Sequence, residues 1–159
     1  MDSAGVFSDD AKGCGYKSRA CAAKFPVRGV CPEGWHLPSA LEYEDMFKFI
    51  GAEPDPVNYW QWKNAGIPLK STSGWKSWSG VATPTDEFGF SVLPSGEKNE
   101  SGEKYYEMDE YSYFNTSTSD SSSGTLDFAL FVKFSYARDY VEVMSTNKRS
   151  GRPVRCKKN

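Results

Sequence analysis

The sequence predicts an α+β domain, one or two helices packed on a small antiparallel sheet, with disulfide-stapled termini. Three observations carry that expectation. Ser39 opens an amphipathic helix with a complete start signal. Leu126 to Phe134 alternates apolar side chains onto one face, the mark of a half-buried strand. Cys31 stands just before the helix and Cys156 close to the C-terminus, so one bridge would tie the two ends together. A chain of 159 residues is long enough for one domain with a core of useful size.

Residues 1–30 are rich in glycine and charge and show little periodicity, so they read as a hairpin or loop segment leading into a core domain over 31–159. Ser39-Ala-Leu-Glu42 matches a capping box, in which the serine oxygen and the glutamate carboxylate each satisfy an orphan helix amide. Tyr43, Met46, Phe47 and Ile50 then fall at i, i+3, i+4 and i+7, one buried stripe. Gly51 ends this helix, and Pro54 and Pro56 prevent its resumption. A second, shorter helix is expected around Val57 to Ala65, broken by Gly66 and Pro68.

From Leu69 onward the pattern changes to strands and turns. Ser71 to Gly80 is turn-rich and carries Trp75 and Trp78. Phe88 to Leu93 reads as a strand stopped by Pro94, and Gly96 to Gly102 as a polar hairpin tip. Tyr105-Tyr106 and Tyr111 to Thr116 are candidate short strands. Thr116 to Gly124 contains only Ser, Thr, Asp and Gly and reads as a flexible surface loop. In the long strand, Leu126, Phe128, Leu130, Val132 and Phe134 share one face, while Asp127, Ala129, Phe131 and Lys133 make a mixed second face. Tyr140 to Met144 supplies its hairpin partner, and Arg152 to Cys156 a closing strand.

Composition excludes several function classes. The net charge of −2 offers no basic stripe to neutralise phosphates, so nucleic acid is not an expected partner. Arg149, Arg152, Arg155, Lys157 and Lys158 cluster near the C-terminus and read as a solvated strand end. No run approaches the ~18 apolar residues of a membrane span, and no signal segment opens the chain. Four cysteines allow three pairings. A local Cys14–Cys21 bridge would close the loop Gly15 to Ala20 and leave Cys31–Cys156 as the long-range bridge. Zinc lacks its ligands here, because there is no CxxC pair and His36 is the only histidine; free thiols are the remaining alternative. Disulfides imply an oxidising compartment, extracellular or in the cell envelope.

The chain resembles a known family through four ordered motifs: Cys31-Pro-Glu-Gly-Trp-His-Leu-Pro38, Leu69-Lys-Ser-Thr-Ser-Gly-Trp75, Asp86-Glu-Phe-Gly-Phe-Ser-Val-Leu-Pro94 and Pro153-Val-Arg-Cys156. It is similar to the Fibrobacter succinogenes major paralogous domain, a repeatedly duplicated domain of secreted bacterial proteins. Tyr113-Phe-Asn-Thr-Ser-Thr118 looks like a drifted form of that family's Trp-Ser-Ser-Thr strand, and Asn147-Lys148 also fits. The similarity covers about Gly13 to Asn159. It implies no established biochemical activity. It does imply an arrangement similar to C-type lectin-like domains, with helix one bridged to the last strand and an N-terminal hairpin carrying its own bridge. Cys31–Cys156 and Cys14–Cys21 would take those two places. Family members carry a further Trp-rich strand and a secretion signal before this point, so residues 1–30 would be the end of a longer N-terminal part. Loss of that strand would expose a sheet edge and invite dimers.

Candidate chemistry is sparse, and the expected function is non-catalytic. His36 lies between Trp35 and Leu37 with no signalled partner, which suits a structural role. No HExxH, GxSxG or phosphate-cradling loop occurs. Glu103, Glu107, Asp109 and Glu110 form an acidic cluster that reads as a solvated hairpin face. Enzymes of the formylglycine-generating type, with a similar lectin-like core, use catalytic cysteines, and bridged cysteines would leave no thiol for that. No cofactor is expected. Calcium is not supported by a motif: Glu53-Pro54-Asp55 is superficially similar to a lectin ligand loop but directly follows helix one, and Asp86, Glu87 and Asp120 are only scattered oxygen donors.

Functional weight therefore falls on aromatics. Trp35, Trp75 and Phe90 lie inside the family motifs and are expected in the core. Tyr59, Trp60, Trp62 and Trp78 lie outside them and are the surface candidates for ligand contact. Two functions follow: a secreted or cell-surface module for carbohydrate binding or adhesion, with a polysaccharide partner, or a protein-interaction and display scaffold contacting a surface protein. A coplanar pair of rings would favour the first, and an apolar patch with a polar rim the second.

Overall fold

The computed structural model describes residues 6–18, 21–98, 100–122 and 124–159. Its elements run β1 (Trp35–His36), α1 (Ala40–Phe49), β2 (Glu53–Pro54), β3 (Gln61–Lys63) and α2 (Gly66–Leu69). They continue with β4 (Glu97–Lys98), β5 (Tyr105–Tyr106), β6 (Tyr111–Asp120), β7 (Phe128–Ser135), β8 (Val141–Asn147) and β9 (Lys157–Lys158). Five strands form one antiparallel sheet in the order β2-β3-β8-β7-β6. The fold is thus α+β, with two helices and a small antiparallel sheet.

Helix α1 forms as its sequence dictates. Ser39 Oγ accepts the Glu42 amide, and the Glu42 carboxylate accepts the Ser39 amide, closing the capping box. Gly51, at φ +79°, ends it in the left-handed conformation that glycine adopts at little cost. Ala40, Tyr43 and Phe47 are buried against the sheet, with Met46 and Ile50 half-buried beside them. The Tyr43 ring stacks on Phe114 at 6.4 Å, and Phe47 meets Trp62 at 5.6 Å. On the sheet side Val132, Phe134 and Val141 are fully buried.

Both disulfides form. Cys14–Cys21 closes a loop whose small satellite core is Ala11, Cys14 and Val27. This N-terminal part contains a single 3-10 turn, Asp9–Ala11, and no strand pair among the described residues. Cys31–Cys156 joins residues 125 positions apart. Beside it β1 pairs with β9, Trp35 opposite Lys158 and His36 opposite Lys157. The ends are therefore stapled twice, by covalent bond and by backbone.

Several local expectations are corrected. The helix expected over Val57 to Ala65 is a turn followed by β3, because Asp55 Oδ1 accepts both the Val57 and Asn58 amides and Trp62 is drawn into the core opposite Val141. The helix forms instead at Gly66, where the Asp139 carbonyl and carboxylate accept the Gly66 and Ile67 amides. A Cβ at Gly66 would lie 2.6 Å from the Asp139 carbonyl oxygen, so only glycine fits this approach. Pro68 sits within the first turn, where its missing amide costs no helical bond.

Phe88 to Leu93 is not a strand. Ser91 turns back to give its amide to Asp86, leaving Val92 as one isolated bridge to Lys70. Thr116 to Gly124 is not simply a loop. Strand β6 continues to Asp120, with Thr116 and Ser117 buried. Their polar groups are satisfied, since Thr116 Oγ donates to the Leu130 carbonyl and the Ser117 amide to the Pro38 carbonyl. Residue 123 of that stretch lies outside the described residues.

The closing strand is β9, not Arg152 to Cys156. That earlier segment is extended alongside β6, where the Pro153 carbonyl accepts the Asn115 amide. Arg152 is not a solvated cation either. Its side chain is buried between Phe131, at 4.6 Å, and Tyr113, at 5.7 Å, with Nη2 2.6 Å from Glu97 Oε2. The outer edge of β6 is covered: Gly96, Pro153 and Pro38 exchange hydrogen bonds with Tyr111, Asn115 and Ser117. The opposite edge, β2, is short and contains Pro54. The β6 flank is therefore not a free edge, whereas β2 remains an exposed edge strand of only two residues, blunted by Pro54.

Candidate functional site

The turn-rich segment over residues 71–85 folds into one wall of a cleft, and the turn after β7 supplies the other. Ser71 Oγ donates to the Val92 carbonyl, and Trp75 Nε1 donates to the same oxygen. The Thr85 amide donates to the Ile67 carbonyl, closing the segment onto α2. The cleft between the walls measures about 510 Å³ and is lined by Thr72, Trp75, Lys76, Trp78, Thr83 and Tyr136, among others.

Trp78 is 52% exposed and meets Tyr136 edge-to-face at 5.8 Å, with the rings 84° apart. Tyr136 is held in turn by the Tyr111 ring at 6.1 Å and by the hydrogen bond its backbone amide donates to the Glu110 carbonyl. The Lys76 ammonium stands 5.3 Å from the Tyr136 ring centre and pairs with the Glu110 carboxylate. That hydrogen bond raises the Lys76 pKa, so the ammonium keeps its charge. Beneath the wall lies Lys70, almost fully buried, donating to the Ser135 and Arg138 carbonyls that flank Tyr136. Desolvation draws its pKa down to about 8, against the opposing pull of Asp139.

The Fibrobacter succinogenes major domain matches residues 8–158. The chain belongs to this family. No curated protein matches the chain, and no solved structure does.

In this Fibrobacter succinogenes major domain the four aromatic candidates do not converge. Only Trp78 lines the cleft. Tyr59 and Trp60 form an edge-to-face pair at 5.2 Å in the turn between β2 and β3, exposed by 79% and 38%. Trp62 is not a surface residue: it is 4% exposed and packs on Phe47. The alternation Gln61-Trp62-Lys63, polar either side of apolar, carried the signal for its burial. Trp35 corrects the opposite expectation, standing 39% exposed despite its place in a family motif. Trp75 and Phe90 are half-buried against the core. Tyr136 and Lys70, which shape the cleft, left no periodic signal in the sequence.

The polar candidates are occupied structurally. His36 is buried, with Nδ1 2.6 Å from Asn159 Oδ1 and Nε2 2.9 Å from Glu42 Oε1. Burial tends to raise the Glu42 pKa, but hydrogen bonds from Lys157, Ser39 and His36 outweigh it and hold the carboxyl down to about 2. In the acidic cluster Glu107 accepts the Tyr113 hydroxyl and Glu110 pairs with Lys76, so these two carboxylates are not paired with each other. Asp55 is held to about 2 by Lys63 and two backbone amides. Ser91 occupies the Asp86 carboxylate through both its hydroxyl and its amide. Among the described residues no cluster of three or more His, Cys, Asp or Glu is placed to hold a metal ion.

Proposed function

We propose that this domain is a non-catalytic, secreted or cell-surface binding module that takes a carbohydrate chain in the Trp78–Tyr136 cleft. The observation that carries the reading is an exposed indole standing over a cleft lined with Thr72, Ser77, Ser79 and Thr83 hydroxyls and the Lys76 ammonium. A sugar ring stacks its C–H face on an aromatic surface while neighbouring hydroxyls exchange hydrogen bonds. The two rings stand at 84°, so the coplanar pair that would favour a sugar is not formed, and the reading rests on the single exposed face of Trp78 beside polar side chains.

Export is supported by the two disulfides that use all four cysteines. Among the described residues no helix is long and apolar enough to cross a membrane. The finer C-type lectin-like reading is supported by the Cys31–Cys156 bridge beside the β1–β9 pair and by the separate N-terminal bridge.

The test is affinity electrophoresis of the folded, oxidised domain in plant and bacterial polysaccharides, with and without EDTA. Specific retardation should vanish in Trp78→Ala and persist in the Tyr59→Ala/Trp60→Ala double variant. Sensitivity to EDTA would add a cation to the site. No retardation of demonstrably folded protein on any polysaccharide sinks the carbohydrate reading and leaves the display scaffold.

A further inference from the structure

A second concave surface lies between α1 and the C-terminal strand and shares no lining residue with the Trp78 cleft. It measures about 540 Å³. Met46, Phe49, Phe90 and Trp35 are among its apolar lining residues, with Phe49 87% and Trp35 39% exposed. Phe49 occupies the last turn of α1, off the buried stripe, so nothing in the core requires an aromatic ring there. The walls are fixed by the Cys31–Cys156 bridge and by the Lys157–Glu42 ion pair, so the groove exists before anything enters it.

Its charges are unevenly spent. Lys157 is paired with Glu42, and Asp45 with Lys48. Arg155 and Lys158 also line the groove, and neither has an ion-pair partner among the described residues. The Arg155 guanidinium instead lies over the Phe90 ring at 3.9 Å, placing its charge on the apolar surface itself. An apolar surface flanked by two cations without ion-pair partners complements a ligand that is apolar and anionic together.

We propose that this groove docks a peptide segment, seating one bulky apolar side chain against Met46, Phe49 and Phe90 and placing an adjacent carboxylate beside Arg155 and Lys158. A peptide fits better than a lipid carboxylate. With Phe49 this exposed the groove is open along one flank, and an alkyl chain there would leave apolar surface in water. A peptide turns its polar backbone to that side.

The test uses the intact oxidised domain and a panel of fluorescein-labelled eight-residue peptides. Each carries one central tryptophan or leucine in a Gly/Ser background, flanked by no aspartate, one, two, or two lysines. Fluorescence anisotropy should show affinity rising about three- to tenfold with each aspartate and no binding of the lysine peptides. Lys158→Glu should weaken the two-aspartate peptide by about tenfold, and Phe49→Ala by about fivefold or more, with unchanged circular dichroism. Affinity independent of peptide charge, or unaltered by both variants, overturns the proposal. So does the absence of peptide binding, whether dodecanoate binds in its place or the domain forms a dimer that Phe49→Ala dissolves.

Discussion

The buried ammonium of Lys70 lies 2.9 Å from the carbonyl oxygen of Ser135 and 3.0 Å from that of Arg138, one on each side of Tyr136. A lysine from the end of α2 thus fixes the turn that carries one wall of the cleft. Replacing it by methionine keeps the bulk and removes the donor. Lys70→Met should cost about 2 kcal/mol at pH 7, since two carbonyls lose their partner, and should weaken retardation on polysaccharide by loosening Tyr136. The pH response has a defined sign. The folded pKa, about 8, lies below the unfolded value, so between these limits the unfolded chain binds more protons and stability rises with pH. Urea unfolding from pH 7.5 to 10.5 should show that rise in the wild type and not in Lys70→Met.

Glu42 predicts the opposite end of the pH scale. Its folded pKa, about 2, is below the ordinary carboxyl value, so its contribution is complete above the unfolded pKa and disappears as pH falls toward 2. Glu42→Gln should destabilise by about 1 kcal/mol at pH 7, a figure reduced for partial solvent screening. The two proteins should converge in urea midpoint by pH 2. A difference that stays constant from pH 7 to pH 2 would contradict this account.

The two bridges should be unequal. In the chain-entropy treatment a loop closed over 125 positions contributes about 4–5 kcal/mol and one closed over 7 positions about 2–3. The Cys31→Ser/Cys156→Ser double variant should therefore lose more stability than Cys14→Ser/Cys21→Ser. Denaturant unfolding of the two variants checks the order.

Trp62 and Trp78 should separate folding from binding. Trp62→Ala removes a core ring from beneath Phe47 and should cost about 3–5 kcal/mol. Trp78→Ala removes a half-exposed ring and should cost under about 1 kcal/mol while abolishing polysaccharide retardation. Thermal unfolding and affinity electrophoresis on the same samples distinguish the two roles. Equal loss of binding in a demonstrably folded Trp62→Ala would move the site away from the cleft.

Legibility tracked the range of the interaction. The capping box at Ser39 and Glu42, the buried faces of Tyr43 and Phe47, and the alternation through Val132 and Phe134 are periodic signals within a few residues, and the fold follows them. The segments that departed are those whose partners lie far along the chain. Thr116 and Ser117 belong to a buried strand because Leu130 and Pro38 receive their hydrogen bonds. Gly66 and Pro68 begin a helix because Asp139 caps it, 72 positions from Ile67.

By itself the sequence determined the α+β class, helix one, the β7–β8 hairpin and the family, because turn chemistry, capping and side-chain periodicity are local properties written residue by residue. Tertiary structure alone decided which aromatics face water. A tryptophan has the same chemistry at 62 and at 78. Only the packing of β3 under α1 buries the first, and only the turn held by Lys70 sets Tyr136 beside the second to make a cleft.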